Sequence, residues 1–148
     1  MYTNILVPLD GSSFAEVALP HASALAAKFE CKVTLVKVVE VPQVYQSVTD
    51  QGVFEDIHRA ATKDATDYLD SVKAKLIAEG LTVELDVIEG DNIAAMLLEA
   101  IEECGADLVV MSTHGRTGFD RWRFGSVAQR VARHATVTTV LVRLPKKE

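Results

Sequence analysis

The chain has 148 residues, of which 49% are hydrophobic and 24% charged, with a net charge of −6. That composition excludes a disordered chain, and the length suits one compact domain spanning residues 1–148. The charge is uneven: residues 1–111 hold seven basic and nineteen acidic side chains, whereas residues 112–148 hold eight basic and two acidic ones. Overall acidity argues against a general nucleic-acid binder, while the basic last quarter suits a small anion. No apolar run approaches the roughly 18 residues of a membrane span, and the start Met1-Tyr2-Thr3-Asn4 lacks a signal-peptide pattern. Two cysteines, Cys31 and Cys104, cannot build a disulfide framework, and no CxxC or Cys/His metal cluster is present. A cytoplasmic, non-membrane protein is expected.

In chain order, Thr3 to Leu9 is a short apolar, β-branched run of the kind that forms a strand covered on both faces. It ends at the turn Asp10-Gly11-Ser12-Ser13. Ser13 and Glu16 have capping-box spacing, predicting a helix from about Phe14, with Pro20 either kinking it or shifting its start. A second strand is predicted over Lys32 to Val39, a loop over 40–53, and a long helix from about Phe54 to Glu79 with Gly80 at its C-terminus. Thr82 to Ile88 alternates strictly and predicts a half-exposed edge strand.

A helix over Asn92 to Cys104, a buried strand over Asp107 to Met111, a helix over Ser126 to His134 and a strand over Val137 to Val142 complete the pattern. Strands alternating with helices mean a parallel sheet with helices on both faces, a doubly wound α/β fold. In such sheets a ligand sits beyond the carboxyl ends of the strands where their order reverses. Strand one there ends in Pro8-Leu9-Asp10-Gly11, and strand four runs into Met111-Ser112-Thr113-His114-Gly115-Arg116-Thr117-Gly118. Gly125-Ser126-Val127 then opens a helix. Glycines admit close backbone approach, and a helix N-terminus supplies N–H donors and positive dipole, so Gly115 and Gly125-Ser126 together suit a phosphate. Arg116 and Arg123 add positive charge to this loop.

Met111 to Val127 resembles the nucleotide-binding motif of the universal stress protein family, G-x2-G-x9-G-[ST]. Gly115, Gly125 and Ser126 match it, and Ser112 stands where the motif has its first glycine. The opening strand with Pro8-Leu9-Asp10-Gly11-Ser12 is also similar to that family's start. The resemblance implies an open five-stranded Rossmann-like sheet of the adenine nucleotide alpha hydrolase type, in the order 3-2-1-4-5. It also implies ATP as ligand, alone or with Mg²⁺. Asp10 would meet the ribose or the adenine edge with Pro8 beside it, and Val38 would offer backbone groups to the adenine. Met111 and Ser112 would flank the adenosine, and Gly115, Gly125, Ser126 and Val127 would take the phosphates.

Several residues carry a second reading. Asp10-Gly11 also reads as a plain turn, and Ser126, spaced from Gln129 as in a capping box, as a helix cap. Trp122 reads as loop packing or as a lid. His114 lacks partners at ligand spacing and reads as a hydrogen-bonding loop residue. No G-x4-G-K-[ST] loop and no G-x-S-x-G elbow occurs. The resemblance therefore implies a nucleotide-responsive regulator acting through a protein partner, with at most slow ATP hydrolysis. Two other readings stand beside it: an enzyme of adenylyl or phosphoryl transfer with an acceptor pocket in loop 40–53, or an interaction module in which Ser112 has abolished nucleotide binding. The apolar strand 137–142 carries no internal charge or proline, and predicts a homodimer paired along that edge.

Overall fold

The computed structural model describes residues 1–40, 50–115 and 125–146. The elements are β1 (Asn4–Pro8), α1 (Ser13–Glu16), α2 (Leu19–Phe29), β2 (Lys32–Glu40), α3 (Gln51–Ala78), β3 (Val83–Gly90), α4 (Ile93–Glu103), β4 (Leu108–Ser112), α5 (Ser126–His134) and β5 (Thr138–Val142). All five strands are parallel, in the order β3-β2-β1-β4-β5. Ile5 of β1 pairs with Val33 of β2 on one side and Leu108 of β4 on the other, so β1 lies at the centre of the sheet.

Alternate residues feed two cores, as the two-residue strand period requires. Ile5, Val7, Val33, Leu35, Leu108 and Val110 join Ala18, Ala22, Ala26, Leu69, Val72 and Leu76 from α2, α3 and the turn before α2. Leu6, Val36, Val109 and Met111 meet Leu97, Ile101, Ala128 and Val131 of α4 and α5 on the opposite face. Small alanines on α2 let that helix approach the sheet closely. Cys31 belongs to the first core, and burial raises its thiol pKa, keeping it a neutral apolar group.

The single helix predicted after β1 is two. Ser12, not Ser13, is the cap of α1, its hydroxyl accepting Ala15 N–H at 3.2 Å. Pro20 sits in the first turn of α2, where its missing N–H costs no hydrogen bond. The long helix also starts earlier than its apolar face predicts, because Asp50 accepts from the N–H groups of Gly52 and Val53. Gly80, at φ +90°, follows the end of α3 in the left-handed region that glycine enters freely.

A polar clamp closes the end of the sheet opposite the strands' carboxyl termini. The Asp107 carboxylate accepts from Thr3 N and Oγ1 and from Asn4 N, at 2.9–3.1 Å. Asn4 in turn donates to Cys104 O at 3.0 Å and accepts from Thr34 Oγ1 at 2.8 Å. Desolvation alone would raise the Asp107 pKa, but the hydrogen bonds from Asn4 and Thr3 outweigh it and hold the carboxyl below its usual value. A depressed carboxyl stabilises the fold at neutral pH, and that contribution fades as the pH falls from the unfolded carboxyl pKa, about 3.9, through the lower folded one. Asp107→Asn should therefore lower Tm by a few degrees at pH 7, with the gap to the parent narrowing below about pH 4, as thermal melts across that range will report.

Candidate functional site

Neighbouring β1 and β4 send their following helices to opposite faces of the sheet, so a cleft opens between their carboxyl ends. Its volume is about 620 Å³. Pro8, Leu9 and Asp10 form one lip. Leu9 N donates to Val36 O at 2.8 Å, extending the β1–β2 ladder past β1 itself. Asp10 Oδ1 accepts from Ser12 N at 2.9 Å and from Ser12 Oγ, while Gly11 adopts φ +87°. The turn reading of Asp10-Gly11 therefore holds, and it leaves Oδ2 beside Gly115. A Cβ on Gly115 would stand 2.7 Å from that oxygen, so glycine is what lets the two loops touch.

The floor is the end of β4. Ser112, Thr113 and His114 are all buried polar residues there. Thr113 N donates to Val142 O at 2.9 Å, and Thr113 O accepts Gly125 N–H at 2.7 Å, so one residue ties the loop to β5 and to the start of α5. Thr113 Oγ1 lies 2.8 Å from His114 Nδ1, and His114 N donates to Ser112 Oγ at 3.2 Å. A Cβ on Gly125 would come within 3.2 Å of the Thr113 carbonyl, a tight contact that a side chain there would have to relieve by a few tenths of an ångström.

Gly125 is the N-cap of α5, and among the described residues no side chain caps that helix. Ser126 is its first helical residue rather than its cap. The first-turn N–H groups thus open onto the cleft, with the positive end of the helix dipole behind them. Arg133 and His134 in the last turn suit the negative end. Much of the remaining lining is apolar: Ala61 of α3, Ile93 and Leu97 of α4, Met111, and Val36, Val38 and Val39 of β2, with Lys37 and Glu40 alongside. This pairing of an apolar wall with a ring of backbone donors fits a ligand with a flat organic end and an anionic end.

A sequence model of the universal stress protein family matches residues 1–143. The chain belongs to the universal stress protein family. It is 33% identical over 148 residues to universal stress protein MJ0531 of Methanocaldococcus jannaschii, covering all of this chain and 86% of that one. The structure of MJ0577 from the same organism superimposes with a TM-score of 0.86 at 25% identity, covering 99% of both chains. A universal stress protein family member of Arabidopsis thaliana, solved with AMP bound, shares the fold at TM-score 0.62 and 15% identity, covering 95% of this chain and 90% of that one.

For this universal stress protein the structure brings Pro8, Asp10, Val38, Met111, Ser112, Gly115, Gly125, Ser126 and Val127 to one cleft. Arg116, Trp122 and Arg123 lie outside the described residues. Sequence reasoning missed the apolar wall of Ala61, Ile93 and Leu97, which comes from helices whose periodicity shows a buried face but not what it faces. It also missed Lys37, whose Cε is 3.8 Å from where a Gly11 Cβ would be, draping the stem over the Asp10 turn. Among the described residues no group of three His, Cys, Asp or Glu side chains is placed to hold a metal ion.

The Asp10–Gly115 contact predicts a coupling. Gly115→Ala should lower Tm in the parent and by clearly less in an Asp10→Ala background, because the carboxylate it strikes is gone. Equal losses in both backgrounds, measured by calorimetry, would show that the two residues do not meet.

Proposed function

We propose that the cleft binds an adenine nucleotide, with ATP as the working ligand, and that the protein is a nucleotide-responsive regulatory module of the stress response in the cytoplasm. What carries this reading is the start of α5 and the bare backbone of Gly115 lining the same cleft. That arrangement gathers N–H donors and helix dipole where a phosphate chain would lie. The base would rest against Ala61, Ile93 and Leu97, read by backbone groups of β2 near Val38. The ribose would lie by Pro8, Asp10, Met111 and Ser112, and the phosphates by Gly115, Gly125, Ser126 and Val127, with Arg116 adding charge. The AMP-bound relative supports an adenine nucleotide of some kind.

If ATP arrives as its Mg²⁺ complex, Asp10, beside the ribose, is the carboxylate that stands next to Gly115. With Oδ1 engaged by Ser12, it would meet the ion through the phosphates and water. Regulation would then run through a protein partner that distinguishes the filled from the empty cleft. Titration calorimetry should give micromolar ATP binding and much weaker GTP binding, since the base end is fixed by backbone groups. Gly125→Val, placing a branched side chain against the Thr113 carbonyl, should abolish ATP binding while the circular dichroism spectrum stays native. Full ATP affinity in Gly125→Val would remove the phosphate assignment.

The reading includes a homodimer through β5. The two sheet edges differ: β3 carries Glu84, Asp86 and Glu89, while β5 reads Thr138-Thr139-Val140-Leu141-Val142 without a charge. A bare edge invites strand pairing, and two-fold antiparallel pairing closes it. Light scattering should give about twice the chain mass across a dilution series. Val140→Lys would set like charges against each other across the two-fold and should yield monomers, with circular dichroism checking that the half-buried position still folds.

A further inference from the structure

The residue that departs from the family motif has a donor to spare. Ser112 lines the cleft and is buried, 6% exposed. Its Oγ accepts the backbone N–H of His114 at 3.2 Å, which fixes where the hydroxyl stands. A hydroxyl has one proton to donate besides its acceptor lone pairs, and among the described residues no protein acceptor takes that proton. The surroundings allow little drift. Thr113 is bonded to both β5 and α5 through its backbone, and the His114 ring is held by the Thr113 hydroxyl. A donor fixed by a rigid frame at the edge of an open cleft has water as its partner until a ligand supplies the acceptor.

We propose that the Ser112 hydroxyl is a ligand-binding group, donating its proton to an oxygen of the sugar–phosphate part of the bound nucleotide. The inference rests on the adenine-nucleotide reading above and deepens it at one position. A glycine here would offer a ligand open backbone and no donor. Serine offers a donor already held in place, so the side chain strengthens binding instead of crowding the ligand out.

The two roles of the side chain, donor or obstruction, predict opposite signs. In calorimetric titrations with ATP, Ser112→Gly and Ser112→Ala should bind about tenfold more weakly than the parent. Ser112→Cys, close in size but with a weak donor, should show a similar loss and guards against the smaller variants failing to fold, which melting without nucleotide will reveal. Adenosine, titrated in parallel, locates the acceptor: a loss with both ligands places it on the sugar, and a loss with ATP alone on the phosphate. Ser112→Gly binding ATP as tightly as the parent or more tightly would overturn the proposal, and so would a Ser112→Cys affinity equal to the parent's. Parent protein that takes up no adenine nucleotide at all would instead overturn the reading beneath it, and this inference with it.

Discussion

The cleft depends on one residue's backbone. Thr113 gives its N–H to β5 and its carbonyl to Gly125, so the end of the fourth strand, the last strand and the first turn of α5 share a single fixed point. Everything that makes the mouth of the cleft useful follows from that. The α5 N-terminus is aimed because Gly125 is held. Gly125 suits this place because the carbonyl holding it is 3.2 Å from where a Cβ would be. The His114 ring and the Ser112 hydroxyl are held in place by the Thr113 hydroxyl and the His114 N–H, respectively. These connections run along the chain from one residue to the next.

The two ends of the sheet are built on different principles. At one end Asp107, Asn4, Thr3 and Thr34 saturate one another, a closed set of side-chain and backbone bonds joining β1, β2 and β4. At the other end the strands stop against glycines, the start of α5 and an apolar wall. The clamp end closes its polar groups on one another, while the cleft end presents the first-turn N–H groups of α5. The Asp10 carboxylate stands between the two principles, with one oxygen closing its own turn and the other turned toward Gly115.

Much of this was legible in the sequence. Alternating periods set the strands and helices, the switch point followed from the doubly wound pattern, and the glycine spacing drew attention to residues that do share a cleft. The errors have local causes. Ser13 and Glu16 matched a capping box, but Ser12 reached Ala15 N–H first, because Asp10 had already folded the chain into a turn that presents it. Ser126 looked like a cap because a residue that starts a helix and one that precedes it have the same neighbours in sequence. The apolar wall was invisible for a different reason. Ala61 lies far in sequence from the glycine loop, on a helix long enough to continue past the strand ends, and nothing in its own segment marks it out. The role of Ser112 was equally hidden, since whether a serine obstructs or donates depends on which atom its hydroxyl already holds.

The unlike edges of the sheet have a consequence for how the molecule can grow. Adding a strand to an open sheet normally creates a new edge just as able to accept another, and that is how fibres propagate. Here the chain's far boundary, β3, carries acidic side chains at Glu84, Asp86 and Glu89. A copy that joined at β5 would therefore turn a charged margin outward, not a second plain edge. One margin of the sheet is marked by charge and the other is left plain.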